Sequence, residues 1–195
     1  MGKRRAKYAL SLCATLLAFT AAGCVTQPMT DHHPSMQVLE LLRNGNLPAM
    51  RVGDFTPGPG LSPRDDQSLG IRALTLVSPY DHSFSKYLQK SLEADLQLAG
   101  KLDPASSLTI EGELTDSRID AGIGTGSATL SGKFELLKSG KQAFEKSFSV
   151  RAEWDSAFVG ATAIPDAANQ YTSLYDKLIV EFLADPDFKA AAAER

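Results

Sequence analysis

LTIEGELT, residues 108–115, alternates core-type residues with polar side chains, and this alternation decides the fold class. The same alternation recurs in SATLSGKFEL, residues 127–136, and in FEKSFSVRAEW, residues 144–154. Because successive side chains of a β-strand point to opposite faces, each segment is predicted to be a strand with one apolar and one polar face. Three such strands in succession predict an antiparallel sheet that is buried on one side only.

The core-facing residues of these strands all have even numbers, which restricts how neighbouring strands can pair. A hairpin loop between them should contain an odd number of residues, and Ser139-Gly140-Lys141 fits this requirement. The same register places Gly132 beside Phe148 and Gly112 opposite Gly132, which leaves a notch for an aromatic side chain of a helix. Lys146 breaks the alternation by pointing inward, so we expect it at the edge of the sheet or at a bulge.

Helical periodicity flanks the strands on both sides. Residues 84–99 carry apolar side chains on one face and end at Gly100, and a second helix is predicted from about Pro165 to residues 185–186. The remaining predicted elements are one short helix over residues 36–43 and two strands over residues 49–55 and 71–77. We therefore predict an α+β domain, with an antiparallel sheet of about four to five strands and two amphipathic helices packed on one face.

The N-terminus has the layout of a bacterial lipoprotein signal. Four basic residues precede an apolar run from Tyr8 to Ala22, which is shorter than the roughly 20 residues that a membrane-spanning helix needs. Residues 21–24, Ala-Ala-Gly-Cys, then place a cysteine after small residues, although such signals usually carry Leu where Ala21 stands. Cys24 is therefore the predicted lipidation residue, which would carry diacylglycerol and a further acyl chain such as palmitate. A soluble protein with an apolar first helix, or an ordinary signal peptide cleaved near Gly23, would also begin in this way.

Charge and cysteine usage agree with an exported domain. The predicted units are a signal peptide (residues 1–23), a lipidated tether (residues 24–35), a single periplasmic α+β domain (residues 36–188) and a C-terminal tail (residues 189–195). Four of the 20 basic residues and none of the 23 acidic residues lie in the signal, so the mature chain carries a net charge of about −7 and is not expected to bind nucleic acid. Val25 stands where inner-membrane retention signals place Asp, which favours the outer membrane. Cys13 and Cys24 are the two cysteines, so no disulfide is expected in the mature fold.

The residues give little support for catalysis. Residues 121–126, AGIGTG, are reminiscent of a phosphate loop, but they lead into an alternating strand rather than a helix, so a hairpin tip is predicted. Residues 81–83, Asp-His-Ser, are the types found in a hydrolase triad, but consecutive residues in a turn cannot be aimed at one another. His32 and His33 lack the further ligands that a metal site needs. We predict a protein that is not an enzyme and has no cofactor or metal site.

Apolar residues in two connecting segments indicate an interaction surface. Trp154, Phe158 and Val159 lie at and after the end of the last strand, and Ile119 and Ile123 lie in the earlier long loop. Large aromatic anchors dominate protein interfaces, and exposed apolar loops often mark them. The alternative is that these side chains fold back as a lid over the open end of the core.

Four runs of sequence carry a resemblance to a known group: PYDHSFSKYLQKSLEADLQLAGKLDP at 79–104, AGIGTGSATL at 121–130, WDSAFVGATAIPDAANQYTSLYDKL at 154–178 and LADPDF at 183–188. From about Arg51 to Phe188 the chain resembles a family of uncharacterised proteobacterial outer-membrane lipoproteins, and this resemblance implies a location without an activity. The plan is more loosely similar to that of the lipopolysaccharide-assembly lipoprotein and of auxiliary lipoproteins of ABC-type lipid transporters. Similarity of fold alone does not establish function.

The predicted function is that of a lipoprotein anchored in the outer membrane, which acts in the periplasm as a non-enzymatic adaptor or binding module with an envelope protein as partner. The alternative is an accessory lipoprotein of lipid or lipopolysaccharide transport, with a lipid ligand held between helices and sheet. A wide apolar gap under Tyr87, Tyr171 and Tyr175 would favour this alternative. A filled core with Trp154 and Phe158 exposed would favour the adaptor.

Overall fold

The computed structural model describes residues 25–193 of the 195-residue chain. The predicted signal peptide, residues 1–23, and the predicted lipidation residue, Cys24, lie outside this part, as do residues 194–195. Within residues 25–193 the chain forms seven strands and five helices, which confirms the α+β class. None of these helices combines the length and the apolar character that a membrane span requires.

The elements follow one another with short connections. In chain order they are β1 (Val25–Pro28), α1 (Met36–Asn44), β2 (Arg51–Pro57), α2 (Pro63–Gln67), β3 (Leu69–Ile71), β4 (Leu74–Val77), α3 (Phe84–Leu98), β5 (Leu108–Asp120), β6 (Gly124–Lys138), β7 (Lys141–Ser156), α4 (Gly160–Ala184) and α5 (Pro186–Ala193).

The strands form two mixed sheets rather than the one antiparallel sheet that we predicted. The three alternating segments are the antiparallel strands β5, β6 and β7, and β2 joins them in parallel to β5. Strands β1, β4 and β3 form a second sheet, in which β1 runs parallel to β4. A parallel pair needs a crossover connection, and the chain between β2 and β5 supplies one that includes the long helix α3.

The hairpin between β6 and β7 closes with the two-residue turn Ser139-Gly140 rather than the three-residue loop that we predicted. Both turn residues have positive φ, at 50° and 77°, which is typical of a type I′ turn. A bulge then restores the register, since Leu137 pairs with Gln142 whereas Leu136 pairs with Phe144. The core-facing residues of the two strands therefore still lie opposite one another.

The two strand glycines only partly follow the predicted register. Gly132 lies opposite Phe148, as predicted, but Gly112 lies opposite Phe134 and not opposite Gly132. The notch over Gly112 is filled by a strand residue rather than a helix residue, because a Cβ at Gly112 would lie 2.5 Å from the ring of Phe55. Close packing of β2 on β5 therefore requires glycine at this position.

The structure has five helices in residues 25–193, whereas the sequence predicted one short helix and two amphipathic helices. The two predicted amphipathic helices are α3 and α4, and both pack on the four-stranded sheet. Ser83 caps α3 by accepting a hydrogen bond from the backbone N–H of Lys86, so residues 81–83 form a turn and cap as expected. Helix α4 begins at Gly160 rather than near Pro165. The short helices α2 and α5 were not predicted, and α5 extends from Pro186 into the predicted C-terminal tail.

One apolar core extends from Met29 to Ala192 and joins both sheets to the helices. Lys146, the inward-pointing residue of β7, lies at the sheet edge, and its ammonium reaches the carboxylates of Asp185 and Asp187, at 2.7 and 3.1 Å. This lysine therefore extends out of the core to an ion pair at the start of α5, as its edge position predicted.

The segment before α1 is attached to the domain. Residues 25–35 were predicted to belong to a tether, but Val25–Pro28 pairs with β4 and Met29 is buried. The backbone oxygen of Thr30 accepts a hydrogen bond of 2.8 Å from the hydroxyl of Tyr87. Val25, the residue that follows Cys24, is therefore already part of a strand.

A candidate contact surface at one end of the sheet

Two connecting segments meet at the same end of the four-stranded sheet. The first, residues 121–123, joins β5 to β6, and the second, residues 157–159, joins β7 to α4. Gly124 pairs with Ser156, so the segments leave adjacent strands at the same level. The predicted hairpin tip of residues 121–126 therefore lies beside the apolar segment that follows β7.

Arg72 holds the two segments together. It lies in the turn between β3 and β4 with a positive φ of 55°. Its guanidinium donates hydrogen bonds of 2.7 to 3.1 Å to four backbone oxygens, those of Ala121, Gly122, Ala157 and Phe158. Arginine has five N–H donors in a rigid planar group, so a single side chain can satisfy several carbonyls at once. The sequence alone gave no signal for this role.

The five residues predicted as an interaction surface divide into two groups. Ile123, Phe158 and Val159 are 71%, 77% and 60% exposed, and we refer to these three residues as the apolar tip. Trp154 and Ile119 are half-buried and pack against the core, as the alternative of a lid predicted. The indole of Trp154 covers Gly126 on the neighbouring strand, where a Cβ would lie 2.3 Å from the ring. The two half-buried residues therefore belong to the margin of the core rather than to the apolar tip.

Two open grooves lie next to the apolar tip. A groove of about 370 Å³ runs along the first segment, between Arg72, Ile119 and Ile123. A larger groove of about 840 Å³ adjoins it and is lined by carboxylates and guanidinium groups, among them Asp65, Asp116 and Arg118. Binding sites for small molecules are usually enclosed and mainly apolar, whereas these two grooves are open to solvent.

The core beneath the tyrosines is filled. Tyr87, Tyr171 and Tyr175 are fully buried, and the rings of Tyr87 and Tyr175 meet edge to face with centroids 4.7 Å apart. The hydroxyl of Tyr171 lies 2.7 Å from the hydroxyl of Ser117 and 2.9 Å from that of Tyr175. Burial raises the pKa of Tyr171 and Tyr175 well above the usual tyrosine value, so both remain neutral donors. These contacts occupy the space in which a lipid chain would have to lie.

A buried charged cluster attaches the N-terminal segment. The side chain of His32 is only 4% exposed, and its Nε2 lies 2.9 Å from Oδ1 of Asp95 on α3. Its Nδ1 lies 3.6 Å from Oδ1 of Asp176 on α4. Burial raises the pKa of both aspartates above the usual value, and His32 opposes this shift. The sequence missed this cluster because His32 lies 63 residues from Asp95.

Residues 81–83, which have the residue types of a hydrolase triad, lie in a turn and a helix cap. Asp81 and His82 lie in a turn with positive φ, and Asp81 pairs with the exposed Lys86. Within residues 25–193, no three His, Cys, Asp or Glu side chains converge closely enough to hold a metal ion. The apolar tip is therefore the feature of this part of the chain that most resembles a functional surface.

Comparison with known proteins identifies a similar fold. The sequence matches no family model and no curated protein. A crystal structure from Xanthomonas campestris, of a protein assigned to the family DUF330, is similar with a TM-score of 0.52 and 16% identity over 82% of this chain and 95% of the other. A minor lipoprotein of Acinetobacter baumannii gives a TM-score of 0.44 and 11% identity, over 72% and 90% of the two chains. A candidate lipoprotein of Caulobacter crescentus gives 0.43 and 15%, over 55% and 83%. At 16% identity, the first match indicates a shared fold and no more.

Proposed function

We propose that this protein is a lipoprotein anchored in the outer membrane through acyl chains on Cys24, with its domain on the periplasmic side. The basic start, the short apolar run and Ala21-Ala22-Gly23-Cys24 support the anchor. More than one acyl chain is needed for durable attachment, because a single chain binds membranes only marginally. Val25 after the cysteine supports the outer membrane as the destination.

The domain acts as a non-enzymatic binding module, an adaptor that contacts another component of the envelope. The observation that carries this proposal is the apolar tip, in which Ile123, Phe158 and Val159 are mostly exposed. Exposed apolar residues that cluster on a surface mark interaction sites, and Arg72 fixes the backbone that presents them. A protein is the partner that the sequence led us to expect for such an adaptor.

The alternative, an accessory lipoprotein of lipid or lipopolysaccharide transport, has less support. It would hold an acyl chain or headgroup between the helices and the sheet. In residues 25–193 that space is occupied by the buried rings of Tyr87, Tyr171 and Tyr175. We therefore place the adaptor first.

A photo-crosslinking experiment in cells tests the proposal. A photoreactive amino acid replaces Phe158 in the full chain, and in a control it replaces Leu98, which is 54% exposed at the end of α3. We expect covalent adducts with an envelope component from position 158 and none from position 98. Equal yields at the two positions would refute the contact surface. Mass spectrometry of the mature protein tests the anchor, and a free thiol at Cys24 would refute it.

A further inference from the structure

Exposed large apolar side chains are concentrated at one end of the domain. Six of them occur in residues 25–193, and four of the six lie at this end: Val25, Ile123, Phe158 and Val159. The other two, Met36 and Leu98, lie on separate helices. Single exposed apolar residues need no explanation, whereas a group of four at one end requires one.

Val25, the residue that follows the predicted lipidation residue Cys24, also lies at this end of the domain. Val25 lies opposite Leu74 in the parallel pair β1–β4, and Leu74 follows the turn that contains Arg72. Neighbouring strands are about 4.8 Å apart, and two residues of a strand span about 7 Å. The backbone of Val25 therefore lies within roughly 12 Å of the backbone of Arg72. This distance is less than the thickness of one leaflet of the hydrocarbon core, about 15 Å.

No slack separates the anchor from the fold. One peptide bond joins Cys24 to Val25, and the Cα atoms on either side of a peptide bond are about 3.8 Å apart. The backbone N–H of Met29 donates a 2.8 Å hydrogen bond to Val77, and His32 lies beside Asp95, so the whole segment is fixed to the domain. Acyl chains on Cys24 would therefore hold the apolar tip close to the bilayer surface.

The backbone of the tip is suited to an apolar environment. A carbonyl that enters a lipid layer without a hydrogen bond is costly, because no water replaces the lost partner. Arg72 already supplies donors to four of the six carbonyls of the two segments, those of Ala121, Gly122, Ala157 and Phe158. The Arg72 side chain is itself exposed, and so are the acidic side chains of Asp120 and Asp155 nearby, so the charges around the tip are mixed. The tip therefore fits a zwitterionic lipid surface rather than an anionic one.

We infer that the apolar tip and Val25 insert into the surface of the bilayer in which the acyl chains of Cys24 are anchored. This inference rests on the proposed function and names the envelope component that the tip contacts. The domain then stands on the membrane in one orientation, with Leu98 at the opposite end of the sheet. Strand β5, which runs between the two ends, is about 40 Å long.

Spin labelling in vesicles tests the inference. The lipidated protein is reconstituted in phosphatidylcholine vesicles with a nitroxide on Val159→Cys or Ile123→Cys, and on Leu98→Cys as the control. All three positions are exposed, so the label does not disturb the core. We expect oxygen, which concentrates in lipid, to reach labels 159 and 123, and a water-soluble nickel chelate to reach label 98.

A second measurement uses the lipid-free mature chain with Cys24→Ser. Phe158→Ser should lower its partitioning into phosphatidylcholine vesicles about tenfold, because most of the burial energy of one phenylalanine is lost. Leu98→Ser should leave the partitioning unchanged.

The outcomes separate this inference from the proposed function. Labels at 159 and 123 that remain accessible to the nickel chelate, like the label at 98, would overturn the inference. If position 158 nevertheless crosslinks to a protein in cells, the inference still fails but the adaptor function stands. If the labels stay in water and no crosslink forms at position 158, both fail.

Discussion

Arg72→Ala should destabilise the end of the domain that carries the apolar tip. The Arg72 side chain makes five hydrogen bonds, and the two shortest, to Ala121 O and Ala157 O, are both 2.7 Å long. A hydrogen bond from a charged donor contributes about 1.5–3 kcal/mol net. The bonds to Gly122, Ala157 and Phe158 lie at the surface, where water can replace the donor, so we count only the short, part-buried bond to Ala121 O. The expected loss is about 1.5–3 kcal/mol in the free energy of unfolding.

Urea unfolding of the mature chain with Cys24→Ser measures this loss. Arg72→Lys keeps the charge but not the planar group of five donors, so it should recover less than half of the stability. Arg64→Ala, on the exposed surface of α2, is the matched control and should change the stability by less than about 0.5 kcal/mol. Amide hydrogen exchange should accelerate in residues 121–123 and 157–159 of Arg72→Ala. If Arg72→Ala unfolds like Arg64→Ala, and exchange in these segments is unchanged, Arg72 does not hold the tip together.

Three further predictions concern the sheet, the buried cluster and the last helix. Gly112→Ala should cost about 1–3 kcal/mol in urea unfolding, because the added Cβ would lie 2.5 Å from the ring of Phe55. Gly132→Ala should cost less, because its Cβ would meet its neighbours at 3.3–3.4 Å. The reverse order would contradict the observed register. Burial raises the pKa of Asp95, so the folded state binds its proton more tightly and the wild type loses stability as pH rises through that pKa. Asp95→Asn lacks this titration, so the stability of the wild type relative to this variant should fall in urea unfolding as the pH rises above about 4, the ordinary pKa of an aspartate. A constant difference would exclude the effect. In thermal unfolding, Asp185→Ala should cost about 1–2 kcal/mol, because its carboxylate accepts two backbone N–H groups of α5. Lys146→Ala should cost less, because its ion pair with Asp185 is exposed to solvent on the lysine side. Equal losses would exclude the capping role.

The sequence indicated most of the residues of the candidate site, but it did not indicate how they are arranged in space. Phe158 and Val159 stood out because apolar residues are unexpected in a connection. The sequence did not separate them from Trp154, since exposure depends on whether a neighbouring strand offers a surface to cover. Gly126 offers such a surface to the indole of Trp154, whereas Phe158 and Val159 are mostly exposed.

The charged contacts that organise the site were not predicted from the sequence. Arg72 reaches residues 49 to 86 positions away, and His32 pairs with an aspartate 63 positions away. A lone arginine in a turn, or a histidine in a polar segment, has no local pattern that identifies its partner. Such contacts exist only after the sheets have been assembled.

The sequence by itself determined the long strands, the two amphipathic helices and the expectation of an anchor at Cys24. These features depend on the spacing of side chains along the chain, because strand and helix periods are local properties of the backbone. Only the tertiary structure decided that β2 runs parallel to β5, that Val25–Pro28 joins a second sheet, and that the apolar tip lies beside the start of the fold. These features depend on which distant segments bury one another's apolar surface, and local periodicity carries no information about that choice.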